Sequence, residues 1–313
     1  MDLIADIGAT NTRCALLDDK GLILAPETFR NDGFPGLEDV LRAYLANRRS
    51  GDRPKRAAFA IAAPILGDSI EMTNRGWAFS QAQLTRDFGL ASLLVVNDFA
   101  AVAWALPALT RAQTLQVGGG SAAPQTPLAV LGPGSGLGVS SIIPAPTGWA
   151  LAHGEGGHAT LAAATDQEAA VIDLIRMEFG HCSAERLVSG PGLVNLYQTL
   201  GKLAGRGTAT VTPADVSALA AKGESLAVQA RAMFFSLLGN VAGNLALTLG
   251  ARGGVYIAGG IVPKLLEPFK TSQFRVRFES KGRYRWYMER IPTYAITEEF
   301  PAFVGLRALL GYR

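Results

Sequence analysis

An asparagine and an aspartate end an apolar run in the first third of the chain. Leu94-Val95-Val96 leads into Asn97 and Asp98, and the following residues, Ala100 to Leu106, are typical of a helix. In open α/β sheets the carboxyl ends of the strands face the ligand, and an aspartate there can take the proton of an attacking hydroxyl group. Asp98 could instead cap the following helix without any chemistry. Its place at a strand end beside Asn97 favours the role of general base.

Two short glycine-rich turns have the composition of phosphate-binding loops. Segments 6–11 (DIGATN) and 132–138 (GPGSGLG) each follow an apolar strand-like run and each lead into another, which predicts two β-hairpins. Glycine permits the positive φ angles that turn successive N–H groups toward one point, where they can bind phosphate oxygens. Each turn alone is equally well explained as an ordinary tight turn, but the pair favours a triphosphate held from both sides. Their tips comprise Gly8, Ala9, Thr10, Asn11, Gly134, Ser135 and Gly136.

Asp6 stands at a strand end immediately before the first of these turns. A carboxylate at this position can hold Mg²⁺, directly or through water. The alternative is that Asp6 accepts hydrogen bonds from the amides of its own turn.

The patterns of two common nucleotide-binding loops do not fit this chain. It contains no GxxxxGK[S/T] segment, which excludes the P-loop class. Segment 118–123 satisfies a loose GxGxxA pattern, but Pro124 and Pro127 follow where the phosphate-binding helix would run. Dinucleotide binding is therefore disfavoured.

Three glycines frame one carboxylate and one imidazole between Gly154 and His158. Such a segment forms neither a good helix nor a good strand, so something else must order it. A polyol held by hydrogen bonds, with Glu155 among the partners, would do so. The metal-site alternative, which adds His153, lacks the helical spacing His-Glu-x-x-His.

Composition favours a two-lobed protein that acts on small molecules. The 313 residues exceed the roughly 250 to 300 that one hydrophobic core supports. Lys plus Arg total 29 against 26 for Asp plus Glu, so no strong field attracts nucleic acid or an acidic membrane. The only two cysteines, Cys14 and Cys182, predict neither a disulfide framework nor a zinc site, and the N-terminus lacks the basic region of a signal peptide. A cytoplasmic location is the expectation.

The apolar stretch from Ala232 to Leu249 has the length of a membrane span, but Asn240 and Asn244 interrupt it. It leads directly into a strand-like run at 254–258 instead of a charged loop. A long buried helix is therefore the preferred interpretation.

The order of predicted elements indicates a repeated α/β layout. Apolar runs at 57–62 and 93–96 are typical of strands buried on both faces. The helical patterns of the first part are Gly36 to Asn47 and Ser80 to Phe88, with Ser80 as an N-cap. A flexible connection is predicted at 118–124. The helices predicted beyond it are Asp166 to Phe179, Leu193 to Leu203 and one that begins at a Thr212 cap. We expect them to cover a second sheet, so that the fold contains a structural duplication.

Basic and aromatic residues alternate between Lys270 and Arg290, a pattern that nucleic-acid-binding surfaces also show. Nearby glutamates dilute the charge, and the whole chain is almost neutral. A solvated amphipathic face or a subunit interface is therefore the favoured interpretation.

Seven motifs, in order, resemble those of the bacterial glucokinases, a family of the hexokinase-like, actin-fold ATPase superfamily. The resemblance covers essentially the whole chain, and although each motif alone is weak, seven in order are specific. They are DIGATNTR (6–13), MTNRGWAF (72–79), NDF (97–99), GPGSGLG (132–138), GEGGH (154–158), SAERLVSGPGL (183–193) and GGVYIAGGIVP (253–263).

The resemblance implies a two-lobed actin-like ATPase (ribonuclease H-like) fold, with a smaller α/β lobe, a larger α+β lobe and a cleft between them. Residues 1–108 and 301–313 would form the small lobe and residues 109–300 the large one. It also implies phosphorylation of glucose at its 6-hydroxyl as entry to glycolysis, with ATP and Mg²⁺ as cofactors, by a cytoplasmic homodimer.

The same resemblance assigns roles to individual residues. The two turns would hold the ATP phosphates, and Gly259 and Gly260 would lie beside the adenosine. The glucose hydroxyls would be bound by Asn97, Asp98, Glu155, His158 and Glu185, with Asp98 as the base. Glu185 is assigned by the resemblance alone.

Three positions depart from the family pattern. Ala9 stands where a second glycine is usual, so a turn that needs a positive φ there would be strained. His153 replaces a usual proline, and Ser135 replaces a threonine while keeping the hydroxyl group.

Other functions remain open at this point. A kinase for another hexose, such as fructose or mannose, would use equally generic hydrogen-bonding residues. A sugar sensor on the same scaffold would need an added DNA-binding segment, whereas the first strand begins at residue 2 or 3. A non-catalytic, filament-forming ATPase would have no need of Glu155, His158 and Glu185.

Overall fold

Contacts between distant parts of the sequence divide the chain into two units. The computed structural model describes residues 1–46, 48, 53–72 and 75–312. Unit 1 comprises Met1–Thr110 and Glu298–Arg313, and unit 2 comprises Arg111–Thr297. Asn47, the predicted end of the first helix, and Thr73 and Asn74 of the second motif lie outside the described residues.

Each predicted strand-like run forms a strand. The strands are β1 (Asp2–Ile7), β2 (Asn11–Leu17), β3 (Ile23–Arg30), β4 (Arg56–Ile61), β5 (Ser69–Glu71), β6 (Ala78–Ser80), β7 (Ser92–Asn97), β8 (Thr114–Gln116), β9 (Leu128–Pro133), β10 (Leu137–Ala145), β11 (Gly148–Ala152), β12 (Gly254–Ile257) and β13 (Thr293–Ile296).

The predicted helices form as well, and two of them begin at the predicted caps. Ser80 Oγ accepts a hydrogen bond from Gln83 N at 3.0 Å, and Thr212 forms a capping box with Asp215. The helices are α1 (Leu37–Ala46), α2 (Gln81–Asp87), α3 (Asp98–Ala105), α4 (Asp166–Phe179), α5 (Ala184–Leu187), α6 (Gly190–Leu203), α7 (Pro213–Ala221), α8 (Ser225–Leu249), α9 (Leu266–Lys270), α10 (Phe274–Glu279), α11 (Arg285–Met288) and α12 (Pro301–Leu309).

Each unit is built around a mixed sheet, and the two sheets repeat one plan. In unit 1 the strand order is β3-β2-β1-β4-β7, with β1 antiparallel to β2 and parallel to β4. In unit 2 the order is β11-β10-β9-β12-β13-β8, with β9 antiparallel to β10 and parallel to β12. A hairpin followed by parallel strands therefore occurs twice, which confirms the predicted duplication. β5 and β6 form a separate pair.

The last helix, α12, packs against α3, which begins with Asp98. A Cβ added to Gly305 of α12 would lie 1.8 Å from the carbonyl oxygen of Ala101 in α3, so only glycine permits this approach of the two backbones. Ala100 and Ala103 of α3 are also fully buried. This contact fixes α3, and with it the residue in its first turn.

The apolar stretch predicted as a buried helix lies within α8. By length and composition α8 could cross a membrane. Within unit 2, however, it packs against α6, α7 and α10, and a Cβ on Gly239 would lie 2.2 Å from the carbonyl oxygen of Phe274. This packing makes α8 a core helix of unit 2, as predicted.

The prediction that β7 is buried on both faces is wrong. β7 is the edge strand of its sheet, and Leu94 is 42% exposed. An apolar run identifies a strand but does not reveal whether a neighbour will cover it.

Segment 118–124, predicted as a flexible connection, is held to other parts of unit 2 by backbone hydrogen bonds. Gly118 and Gly120 have φ angles of +89° and +90°, which favour glycine. Ser121 N donates a hydrogen bond to the carbonyl oxygen of Arg290 at 3.2 Å, and Ala123 N donates to that of Arg252 at 3.0 Å.

The basic and aromatic segment is solvated only in its second half. Phe274 and Phe278 are fully buried. Arg275 and Arg277 have side chains that are 12% and 16% exposed, and Arg277 forms an ion pair at 2.7 Å with the buried Glu168. The prediction of a solvated face is therefore wrong for this first half, which packs into unit 2.

Candidate functional site

Asp98 and the first turn lie at the same edge of the unit 1 sheet. β1, β4 and β7 are parallel, and Ile7, Ile61 and Asn97 are in register with one another. The turn follows Ile7 and Asp98 follows Asn97, so both emerge at the carboxyl ends of the strands. Two strand spacings, about 10 Å, separate β1 from β7. Ligands of open α/β sheets bind at this edge.

The N-cap of α3 is Asn97 and not Asp98. Asn97 Oδ1 accepts hydrogen bonds from the backbone nitrogens of Phe99 at 2.9 Å and Ala100 at 3.3 Å. Asp98 is partly buried in the first turn of the helix, where Oδ1 accepts from Phe99 N at 2.9 Å and where the helix dipole favours a negative charge. Because the helix cap uses the side-chain oxygen of Asn97, the side-chain NH₂ group of Asn97 can donate a hydrogen bond to a ligand hydroxyl group.

The first turn closes with a hydrogen bond from Gly8 N to the carbonyl oxygen of Asn11, 3.0 Å long. None of its residues has a positive φ angle, so the explanation of this turn by positive φ is wrong, and no such strain arises at Ala9. Glycine is favoured at position 8 for a steric reason instead, because a Cβ there would lie 3.3 Å from the carbonyl oxygen of Asn11, a tight contact. Thr10 is exposed at the tip.

A buried asparagine holds the first turn, and sequence reasoning missed it. Asn31 Nδ2 donates to the carbonyl oxygens of Gly8 at 2.8 Å and Ala9 at 3.3 Å, and Asn31 N donates to that of Thr10 at 2.9 Å. Thr12 Oγ1 in turn donates to Asn31 Oδ1 at 2.8 Å. Asn31 is fully buried, so it fixes the positions of three consecutive peptide groups of the turn.

Arg75 donates hydrogen bonds to Asn31 and to the neighbouring Asp32. Arg75 Nη2 donates to the carbonyl oxygen of Asn31 at 2.6 Å, and Nη1 donates to Asp32 Oδ1 at 3.0 Å. Its guanidinium group lies 4.6 Å from the centre of the Trp77 ring. Arg75 Nη1 also lies 3.5 Å from the carbonyl oxygen of Ala9, so motif 72–79, which contains Arg75 and Trp77, supports the turn both directly and through Asn31.

Asp6 is paired with an arginine and does not bind the amides of its turn. Asp6 Oδ2 accepts a hydrogen bond from Arg13 Nη1 at 2.9 Å, and its side chain is 20% exposed. Burial raises the pKa of Asp6 above its ordinary value, although Arg13 acts in the opposite direction. No cluster of three or more metal-ligating side chains occurs among the described residues. A single carboxylate fits a Mg²⁺ ion held mainly by phosphate oxygens and water.

The second turn joins β9 to β10 and has its own steric requirement. Gly134 N donates to the carbonyl oxygen of Gly136 at 2.8 Å, and Ser135 is exposed at the tip. These residues also lack positive φ angles, so the positive-φ argument is wrong for this turn too. A Cβ on Gly136 would lie 2.4 Å from Glu185 Oε2, so a larger residue there would displace the Glu185 carboxylate.

Glu185 and the glycine-framed segment meet at Leu137, the first residue after the second turn. Leu137 N donates to Glu185 Oε2 at 2.8 Å. A Cβ on Gly157 would lie 2.0 Å from the carbonyl oxygen of Leu137, so the backbone of segment 154–158 passes directly against it. Ala184 N also donates to the carbonyl oxygen of Ala159 at 2.9 Å. The structure thus brings both predicted sugar-binding segments of unit 2 to the end of the second turn.

Glu155 and His158 are both exposed, at the two ends of this segment's short turn. Gly156–His158 forms a single 3₁₀ turn, closed by a hydrogen bond of 3.0 Å from His158 N to the carbonyl oxygen of Glu155. The segment therefore has neither of the regular structures that its glycines disfavour, and its side chains are accessible to a ligand.

Gly259 lies against the stem of the second turn. Its φ angle is +82°, and a Cβ there would lie 2.4 Å from the carbonyl oxygen of Pro133. Ala258 N donates to the carbonyl oxygen of Leu131 at 2.9 Å. Gly259 and Gly260 follow the carboxyl end of β12, and the second turn follows that of its parallel neighbour β9. The candidate residues of unit 2 therefore also share one sheet edge.

Known proteins resemble the chain over its full length. The family model for glucokinase matches residues 3–312. A glucokinase of Paramagnetospirillum magneticum is 47% identical over 312 residues, which cover 99% of this chain and 97% of that protein. A bifunctional protein glk of Paraburkholderia xenovorans is 46% identical over 310 residues, which cover 99% of this chain but 48% of that protein.

A solved structure agrees with these matches. The crystal structure of a glucokinase from an Antarctic psychrotroph is similar with a TM-score of 0.90 and 35% sequence identity, and the match covers 99% of this chain and 98% of that one. This chain therefore has the two-lobed, actin-like α/β fold that the resemblance implies. Together with the family model and the relatives, this similarity establishes that the chain belongs to the glucokinase family.

Proposed function

We propose that this chain transfers the γ-phosphoryl group of ATP to the 6-hydroxyl group of glucose, with Asp98 as the general base. Family membership supports the reaction itself. The observation that carries the mechanism is the position of Asp98, at the carboxyl edge of the unit 1 sheet beside a first turn of phosphate-binding composition. Because Asn97 caps α3, Asp98 is not required for that structural role.

Asp98 accepts the proton of the 6-hydroxyl group while the hydroxyl oxygen attacks the γ-phosphorus. The new P–O bond forms as the bond from the γ-phosphorus to the β–γ bridging oxygen breaks, and ADP leaves with that electron pair. Such a transition state needs little covalent assistance, so alignment and charge stabilisation provide most of the acceleration.

The glucose hydroxyl groups are bound by Asn97, Glu155, His158 and Glu185 in this proposal. The exposure of Glu155 and His158, and the position of Glu185 against Leu137, support these roles. Backbone amides of the two turns, other than Gly8 N and Gly134 N, which close the turns, bind the ATP phosphates. The side chains of Thr10, Asn11 and Ser135 bind them as well. Gly259 and Gly260 lie beside the adenosine in this proposal.

Mg²⁺ fits the unit 1 part of this arrangement through Asp6. When bound, the ion would neutralise charge on the outer phosphates of ATP. Asp6 would hold it directly or through water, while Arg13 orients the carboxylate.

The remaining expectations concern organisation. We propose that units 1 and 2 act as the two lobes, whose bounds lie within a few residues of the predicted 1–108 with 301–313 and 109–300. Closure over glucose then excludes water from ATP. Two buried free thiols, Cys14 and Cys182, support a reducing cytoplasm, where the product would enter glycolysis. A homodimer is the proposed assembly.

One coupled assay tests the reaction. ADP release by the full chain should depend on glucose, and kcat/KM should be higher for glucose than for fructose or mannose. ADP release at the same rate without sugar would contradict the kinase function and favour a non-catalytic or sensing role. A higher kcat/KM for another hexose would identify a different sugar kinase.

A further inference from the structure

A cavity of about 660 Å³ lies in unit 2, away from the residues of the candidate site. Its lining combines the fixed glycine-rich loop with the exposed half of the basic and aromatic segment. Neither feature has a role in the proposed reaction. The lining residues are Gly120, Ser121, Ala123, Arg252, Trp286, Tyr287, Glu289, Arg290 and Ile291.

This cavity lies at the opposite edge of the sheet from the candidate site. Arg252 and Ile291 lie two residues before the start of β12 and of β13, respectively. Gly259, by contrast, lies two residues after the end of β12. The four residues of β12 span about 13 Å. A ligand in the cavity would therefore not overlap Gly259 or the second turn.

The wall of the cavity is preformed. The backbone of the 118–123 loop binds the carbonyl oxygens of both arginines, through Ser121 N to Arg290 and Ala123 N to Arg252. A Cβ on Gly120 would lie 2.7 Å from the carbonyl oxygen of Arg290, so the loop fits there only with glycine. The backbones of Arg252 and Arg290 are thus both held by the same loop, at residues that are two positions apart.

The charge of the cavity is positive. Within the described part of the chain, neither Arg252 nor Arg290 has a carboxylate partner. The one carboxylate in the lining, Glu289, is paired with Arg285 at 2.9 Å. The Arg290 guanidinium lies 5.2 Å from the centre of the Trp286 ring, and Trp286 is 54% exposed. Two arginines without a carboxylate partner therefore line the cavity together with an aromatic ring that solvent reaches.

We propose that this cavity binds a small phosphate ester that carries a sugar or base ring. The guanidinium groups of the two arginines can donate paired hydrogen bonds to phosphate oxygens, and the Trp286 ring can stack on the ring of the ligand. Sugar phosphates and nucleoside monophosphates share this chemistry. The site does not depend on the proposed reaction, because none of its residues belongs to the candidate site.

Isothermal titration of the full chain, in saturating glucose, with ribose 5-phosphate, AMP and inorganic phosphate tests this proposal. At least one ester should bind, and the binding should quench tryptophan emission in the wild type but not in Trp286→Phe. The double variant Arg252→Ala/Arg290→Ala should weaken it about tenfold or more, since the charged hydrogen bonds from both guanidinium groups to the phosphate are lost. Which ester binds identifies the source of the ligand.

Arg283→Ala is the matched control, because Arg283 is exposed in the same segment but does not line the cavity. It should bind the ester as the wild type does, and both arginine variants should keep the wild-type kcat for glucose. Three results would overturn the proposal: no ester binding at millimolar concentration, equal binding by the double variant, or inorganic phosphate binding as tightly as the esters, which would mean an adventitious ion only.

Discussion

The two glycine turns look alike in sequence but are held by different chemistry. The first is fixed by Asn31, a fully buried neutral amide that donates to the carbonyl oxygens of Gly8 and Ala9. The second is held by a carboxylate, since Glu185 accepts from Leu137 N. Asn31 has no proposed contact with a ligand, whereas Glu185 is proposed to bind glucose. The comparison implies that the first turn keeps the same shape with and without sugar. The second turn, by contrast, depends on a residue that is also proposed to bind the sugar.

The largest effect is expected from Asp98→Asn, which leaves the supports of both turns intact. Loss of a general base should lower kcat about 10²-fold or more, and KM for ATP and glucose should change little. Steady-state kinetics measures both. Asp87→Asn, the same change at an exposed position of unit 1, should be neutral. Near-normal turnover of the Asp98 variant would contradict its role as base.

Glu185→Ala should have the next largest effect, because it removes the support of the second turn together with a sugar contact. Loss of charged hydrogen bonds worth roughly 1.5 to 3 kcal/mol corresponds to about 10- to 100-fold in kcat/KM for glucose. KM for ATP should rise as well.

Glu185→Gln separates the two roles of this residue. Glutamine keeps a carbonyl oxygen that can accept from Leu137 N, so KM for ATP should return toward the wild-type value while glucose binding stays impaired. If the alanine variant changes KM for glucose alone, the second turn does not depend on Glu185, and the contrast between the turns disappears.

Asn31→Ala should weaken ATP binding without affecting glucose. It removes the hydrogen bonds from Asn31 Nδ2 to Gly8 and Ala9, so KM for ATP should rise about tenfold and the free energy of unfolding should fall by about 2 kcal/mol. Urea unfolding and kinetics below the transition measure the two effects. Asn195→Ala, which removes a surface amide bond to Arg186, is the control. A parallel rise in KM for glucose would show that the first turn also depends on the sugar.

Local signals predicted the strands, the turns and the position of Asp98 at a strand end, because apolar runs and glycines act over a few residues. Asn31 was missed because sheet pairing, not its neighbours, brings it to a turn more than 20 residues away. Whether Ala9 is strained depends on its φ angle, which composition does not supply. The 118–124 loop looked flexible for the same reason: its partners, Arg252 and Arg290, are distant in sequence.

The smallest effect is expected from Asp6→Asn, at the base of the first turn. Burial raises the pKa of Asp6 above 3.8, so between 3.8 and the folded value the native state binds more protons than the unfolded state. Stability contributed by this group therefore falls as the pH rises through that window, and ionised Asp6 costs stability at neutral pH. The variant without ligand should be slightly more stable than the wild type at pH 7, by about 1 kcal/mol or less, and this difference should vanish below pH 3.8.

Thermal unfolding across this pH range measures the difference in stability between Asp6→Asn and the wild type. The stabilisation by Mg²⁺ and ATP should decrease in the same variant. A variant that is less stable at pH 7 would show instead that the ion pair with Arg13 outweighs burial, so that charge helps to hold the first turn as it holds the second.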